Sequence, residues 1–469
     1  MTAILRGYRH APVVDLMRGK SMKVFVVACA LTALVSVGAE ASVSNLFKAL
    51  WQSATSADSG KSGDDSPGSN SGGNDSGSVG QSESGYTDCM KEVSASYDTR
   101  CMMTALADET IIPNYADLKT EAAGFASADG PLASYCSAIA TPNESTAFSE
   151  AEAGWERLSA AVQRVEMHAI GPAVDNGSAL QYRLNSYMSG PISTCGIDSF
   201  AASPGADVTS RAINTRGIRA LDYLLFNPDL DHTCAPQVSS TQDWNDLAGD
   251  ERRALRCDAA VAIASDISAA AEQIHSAWSA DDGNYRATYL GASNVYQSLQ
   301  ATTDSMFYLE KGTKDAKLGH PLGIIVACPS LTCPDMIEAP YSENSLQNII
   351  TNLQIWSEMF SSNAQTGFDA HLENEGWPEV SQAFETNLQA ALQLAESIDT
   401  TVVSQVAAIK GEAQETECTN AYTNPDTVSE AFPMCTLYGL VKRIVDSLKI
   451  DFVTIVNVDI PGGSQSDND

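Results

Sequence analysis

WERLSAAVQRVEMHAIGP, residues 155–172, decides the fold class. Trp155, Leu158, Val162, Val165 and Ala169 recur at three- and four-residue spacing, the period that lines up side chains on one face of an α-helix, and Gly171-Pro172 is a stop signal. Two further stripes repeat the pattern. Leu388, Leu392, Ala395, Ile398, Val402, Val406 and Ile409 predict one long amphipathic helix, and Leu437, Leu440, Val441, Ile444, Val445 and Leu448 another. Alternating apolar and polar residues are scarce until Phe452–Val458, a short β-like run. The expectation is an all-α protein built from bundles of long helices.

Two breaks in composition divide the chain. SADDGNY, residues 279–285, reads as a polar turn before a helix from about Ala287 to Leu309, and the junction between two helical-bundle domains is placed near residue 283. Residues 311–341, KGTKDAKLGHPLGIIVACPSLTCPDMIEAPY, predict a long Gly/Pro/Cys loop. A loop of this length inside a domain is usually functional or stapled, and Cys328 with Cys333 would staple it. The predicted organisation is a leader over 1–41, a linker over 42–86, bundles over 87–283 and 284–455, and an acidic tail over 456–469.

The chain has 469 residues, with 59 Asp and Glu against 27 Lys and Arg, a net charge of −32. Such acidity excludes nucleic acid as a partner, because phosphates select basic surfaces. It suits solubility or a cationic partner.

Met22-Lys23 introduces an apolar run, Val24 to Val37, followed by Ala39-Glu40-Ala41, a small-x-small cleavage pattern. About fourteen apolar residues are too few to span a bilayer, so the run reads as an export signal with Met22 as the expected start. Cys29, after Val26-Val27-Ala28, offers the alternative of a lipid anchor, the one route by which membrane association is expected. Removing 1–41 takes away five Lys/Arg and two Asp/Glu, leaving 22 against 57 and a charge of −35. From Ser53 to Gly85 the chain is Ser, Gly, Asp and Asn almost throughout, which predicts a flexible tether.

Ten cysteines remain after the leader: Cys89, Cys101, Cys136, Cys195, Cys234, Cys257, Cys328, Cys333, Cys418 and Cys435. An even number behind an export signal predicts disulfides. Proximity favours Cys328–Cys333, Cys418–Cys435 and Cys234–Cys257. No CxxC pair occurs, which argues against a zinc ribbon.

NTRGIRALDYLLFN, residues 214–227, sets Arg219 and Asp222 three apart in an apolar helical stripe. They can pair with each other or converge on a ligand. No HExxH, GxSxG or GxxxxGK[ST] is present, so zinc-peptidase, serine-hydrolase and nucleotide-binding readings lack their local signatures.

Several segments, in order, are similar to the imelysin family, also described as iron-regulated protein A-like and formerly classed as metallopeptidases. They are IIPNYADL (111–118), QRVEMHAIGP (163–172), YRLNSY (182–187), RGIRALDYLLF (216–226), KLGHPLGI (317–324), SENSLQNIITNL (342–353) and LKIDFVTIVNVDIP (448–461). The resemblance implies an exported helical protein of two diverged duplicate bundles with a site near their junction; the cofactor is left unassigned, with iron or another divalent metal the candidate that the resemblance admits. The family's GxHxxE motif falls on Gly217, Arg219 and Asp222, so arginine replaces the histidine. A guanidinium has five donors and no acceptor, and cannot ligate a metal.

The candidate ligand-binding residues are therefore Arg219 and Asp222, with Glu166, Arg216, Arg183 and Asn185, and His320 in GHPLG as a further candidate. No catalytic residue is assigned. The reading is a non-catalytic binding protein of the periplasm or cell envelope, linked through the resemblance to iron acquisition. Its partner is a small ligand, a metal ion or an envelope protein. The alternatives are a metallopeptidase of the imelysin type and a disulfide-stapled helical module that docks an envelope protein.

Overall fold

A computed structural model describes residues 99–361 and 366–465. The expected leader, Cys29, the tether and Cys89 lie outside the described residues. All those described belong to a single unit within residues 81–469. Among them there is no strand, and the fold is all-α.

The α-helices of eight residues or more are α1 (Ile112–Ala126), α2 (Pro131–Ala138), α3 (Glu144–Glu166), α4 (Asp175–Leu184), α5 (Thr194–Ala201) and α6 (Ile218–Phe226), followed by α7 (Gly249–Trp278), α8 (Val295–Met306), α9 (Ser345–Phe360), α10 (Pro378–Ser397), α11 (Glu412–Thr423) and α12 (Pro433–Ser447). Local chemistry sets many ends. Proline occupies the first turn of α2, α10 and α12, where its missing N–H costs nothing. Ser193 caps α5 by accepting from Gly196 N at 3.1 Å. In α3, Glu144 sits in the first turn and Arg164 in the last, each with the sign the helix dipole favours.

The apolar stripe of α3 is buried: Trp155, Leu158, Val162 and Val165 are 4% exposed or less. The helix ends at Glu166, so Ala169 follows it, and Gly171 adopts φ +53° in the turn beyond. α3 packs on α1 and α2, and α7 on α1 and α6. Further along, α10 packs against α9 and α12. α3 also meets α9, so one continuous apolar cluster runs from Met102 to Val458.

Four readings of the sequence need correction. The 388–409 stripe is broken after Ser397, and a short helix restarts at Val402 because Thr401 caps it, accepting from Ser404 N at 3.2 Å. The helix expected from Ala287 to Leu309 is interrupted between Tyr289 and Val295. The start of the predicted 311–341 loop is π-helical, Leu309–Gly319, with Leu309, Leu318 and the long side chains of Glu310, Lys314 and Lys317 all buried. The β-like run at Phe452–Val458 is helical to Val456, because Leu448, Phe452 and Val456 follow the four-residue helical spacing and are buried together.

Cys328–Cys333 and Cys418–Cys435 form as proximity suggests. Cys234 and Cys257 do not pair with each other. Cys234 joins Cys195, and Cys257 joins Cys136 across 121 residues, tying α7 to α2. Packing of non-adjacent helices outweighs chain proximity here. No helix among the described residues is long and apolar enough to cross a membrane.

Candidate functional site

Where α3, α9, the 309–319 π-helix and the loop after Met336 converge, the interior turns polar. α3 supplies Gln163 and Glu166 from one face. α9 supplies Asn348 and Asn352, four apart. The π-helix supplies Lys317 and the loop supplies Glu338; all six side chains are 4% exposed or less. An 11-residue π-helix is uncommon, and wider turns of this kind recur at functional sites.

Lys317 is the centre. Its Nζ lies 2.8 Å from Glu166 Oε2, 3.2 Å from Glu338 Oε2 and 2.7 Å from Asn352 Oδ1, and it also donates to Gln163 Oε1. Asn185 bridges the two carboxylates, donating to Glu166 Oε1 at 2.7 Å and Glu338 Oε1 at 2.8 Å. Gln163 Nε2 and Asn348 Nδ2 donate to the two oxygens of Glu338 at 3.0 and 2.9 Å. Each of the four carboxylate oxygens therefore accepts at least one charged or amide donor.

Burial pushes Glu166 above the usual carboxylate range and Glu338 pushes the same way, with Lys317 opposing. Glu338 goes the other way. Burial would raise it, but Lys317 and the amides of Asn348, Gln163 and Asn185 together hold it below the usual range. The Tyr308 hydroxyl is pushed up, first by burial and then by the neighbouring charges of Glu166 and Glu338.

Arg219 and Asp222 lie on α6 and are buried, but they make no ion pair with each other. Arg219 donates from Nε to Glu338 O at 3.2 Å and from a terminal nitrogen to Gly190 O at 2.9 Å, with its guanidinium carbon 4.7 Å from the Tyr187 ring centre. The Tyr187 hydroxyl lies 2.5 Å from Ala316 O and 2.8 Å from Met336 O, anchoring the π-helix and the Glu338 loop together. Asp222 accepts from Tyr341 N at 3.2 Å and Ser342 N at 3.0 Å, fixing the next part of that loop. Burial raises the Asp222 pKa to about 6, against the pull of Ser342 and Tyr341 and of the more distant Arg219 charge. Both residues thus hold the loop that delivers Glu338. Gly217, at φ +78°, admits this packing, since a Cβ there would meet Leu184 O at 2.8 Å.

Of the other candidate residues, Glu166 and Asn185 are in the network. Arg183 and Arg216 are not; both turn to Asp266 of α7, at 2.8 and 3.5 Å. His320 is half-buried one turn beyond Lys317, hydrogen-bonded to the Ala327 backbone, and makes no contact with the network. Sequence reading passed over Lys317, Glu338, Gln163, Asn348 and Asn352. Four of these five lie inside the segments that carry the family resemblance, and asparagines four apart, on the same helix face as the apolar residues of α9, were the available signal.

Above Glu166 a cleft of about 310 Å³ opens, lined among others by Asn185, Tyr182, Tyr308, Asp304 and Lys311. Pro461 and Ser464, within the expected acidic tail, close one side. Asn176, Gly177 and Ser178, at the start of α4, take left-handed conformations, and Ser178 lines the cleft.

An iron or other divalent ion needs oxygen ligands with free lone pairs directed at one point. In this arrangement the point between the carboxylates is held by Lys317, the oxygens face donors, and Arg219 has no lone pair to give. The residues do not fit a metal centre, and among the described residues no group of three or more His, Cys, Asp or Glu side chains is placed to hold an ion.

The chain belongs to the imelysin family, whose model, also designated a peptidase family, M75, matches residues 111–428. Among solved structures it is similar to an imelysin-like protein from Psychrobacter arcticum 273-4, with 16% identity, TM-score 0.56, and coverage of 78% of this chain and 99% of that one. It is also similar to a protein described as an iron-regulated protein A precursor from Parabacteroides distasonis ATCC 8503, with 16% identity, TM-score 0.50, and coverage of 75% and 97%. At this identity the likeness establishes the fold. No curated protein matches the chain.

Proposed function

We propose that the chain is an exported, non-catalytic binding protein of the periplasm or cell envelope, which holds a small polar ligand in the cleft over Glu166. One observation carries the reading: Glu166 lines an open cleft, while Lys317, behind it, already occupies the point between Glu166 and Glu338 where an ion would sit. A catalytic metal needs protein ligands plus an open coordination position, and this arrangement offers neither. Asp304, Gln181, Ser178 and Tyr182 line the cleft with carboxylate, amide, hydroxyl and aromatic surface, which suits a ligand rich in hydroxyl or amino donors.

Export is supported by the apolar leader and by four disulfides among the described residues, bonds that persist in oxidising compartments. The link to iron rests on the name of the Parabacteroides protein. In this reading iron enters as the setting in which the protein works, or inside a ligand complex, and not as an ion held by Glu166.

The test is thermal-shift screening of the purified chain against small polyols and amines, with Gln181→Trp as a cleft-filling variant. A hit that raises the melting temperature and is lost in the folded variant supports the reading. Chelator-sensitive cleavage of denatured casein that disappears in Glu166→Gln would replace it with the peptidase alternative. Mass spectrometry of the mature amino terminus would distinguish Ser42 from acylated Cys29.

A further inference from the structure

A second cavity lies away from the Lys317 network, on the far side of the loop that Asp222 holds. It measures about 390 Å³ and is bounded by α2, α3, α6, α7 and residues 341–342. Polar and apolar surface share its walls about equally. Tyr135, Phe148 and Phe226 meet edge to face, with ring centres 5.2 and 5.8 Å apart, and Leu224, Leu225 and Leu230 extend the surface.

Two arginines of α7 line the same cavity, and they differ. Arg253 is matched by carboxylates, Glu144 at 3.1 Å and Asp250 beside it. Arg256 is 2% exposed and has no carboxylate within ion-pair distance among the described residues. Its terminal nitrogens donate to Asn227 O at 3.0 Å and Asp229 O at 2.7 Å. Its guanidinium carbon lies 5.3 Å from the Tyr223 ring centre, and its Nε–H finds no acceptor.

Carbonyl dipoles and a ring face stabilise a buried cation only in part, and a charge in this position is ordinarily paired. A planar guanidinium with spare donors beside aromatic walls is suited to a carboxylate on an apolar body. Glu152 stands exposed at the rim, where solvent screens it. The Cys136–Cys257 disulfide joins the residues next to Tyr135 and Arg256, so the cavity is held in shape without a ligand.

We infer that this cavity is a second binding site, for a small monocarboxylate with an aromatic or apolar body, its carboxylate on Arg256 and its body against Phe148, Phe226 and Tyr135. The site is separate from the cleft over Glu166, and neither needs the other.

Isothermal titration of the full chain with phenylacetate, and with phenylacetamide as its uncharged counterpart, tests this. Phenylacetate should bind, the amide at least about tenfold more weakly, and Arg256→Lys should weaken phenylacetate by about tenfold, since it keeps the charge but loses the planar fork. Leu225→Trp, which fills the cavity from a partly buried wall position, should abolish binding with the melting temperature retained. Equal affinity for acid and amide, no binding at millimolar phenylacetate, or unchanged binding in folded Leu225→Trp would each overturn the proposal.

Discussion

Lys317 Nζ stands 2.8 Å from Glu166 Oε2, with the two residues 151 positions apart in the chain and both side chains 5% exposed or less. This contact joins α3 to the π-helix and neutralises a carboxylate that burial would otherwise protonate. Taking such charges out of water costs several kcal/mol per ion, and the pair persists because Asn185, Gln163, Asn348 and Asn352 add hydrogen bonds to the two carboxylates and the ammonium.

Removing the cation alone should therefore be severe. Lys317→Met is expected to destabilise the fold by about 3–5 kcal/mol, since it strands two buried carboxylates. Urea unfolding checks the value, and Glu166→Gln in the same background should recover part of the loss by removing one stranded charge.

Asp222 gives a pH dependence of definite sign. Its pKa is raised in the folded protein to about 6, so its contribution to stability is fully present below the unfolded value near 3.8 and is lost as pH rises through 6. The stability gap between the native chain and Asp222→Asn should narrow by about 2 kcal/mol from pH 4.5 to 7.5, by the linkage relation. Unfolding curves at the two pH values measure it. Glu166 shifts in the same sense, and Glu338 in the opposite one, losing its contribution as pH falls through its depressed folded pKa.

The disulfides should rank by the loop each closes. Cys136–Cys257 spans 121 residues and Cys328–Cys333 spans five. The chain-entropy model gives about 5 and about 2 kcal/mol respectively. Paired Cys→Ser variants compared by denaturant unfolding test the order.

Much of the helical layout was legible because burial in α3 and α12 repeats the 3.6-residue period that Trp155, Leu158 and Val162, or Leu437, Val441 and Ile444, display in sequence. The run at Phe452 misled because adjacent Phe452 and Val453 mimic a strand residue by residue, while burial follows Leu448, Phe452 and Val456. Long-range partners were not legible. Arg219 and Asp222 are near enough in sequence to suggest a pair, yet backbone groups from residues 190 and 338–342 satisfy each of them first. Glu166 and Asn185 could be singled out from the family resemblance. Lys317 could not, because its role depends on a π-helix that no periodicity argument would place in a Gly- and Lys-rich segment.

Gly217 connects the motif to the backbone. Gly217→Ala should cost about 1–2 kcal/mol, because its φ of +78° disfavours any Cβ and the added atom meets Leu184 O. Thermal unfolding would register the loss.

The most direct test is metal titration with elemental analysis of the native chain and of Lys317→Gln, using iron and zinc. No stoichiometric tight ion is expected in the native chain, and weak divalent binding should appear only once Lys317 no longer holds Glu166 and Glu338. One tightly bound ion per native chain, lost in Glu166→Gln, would contradict it.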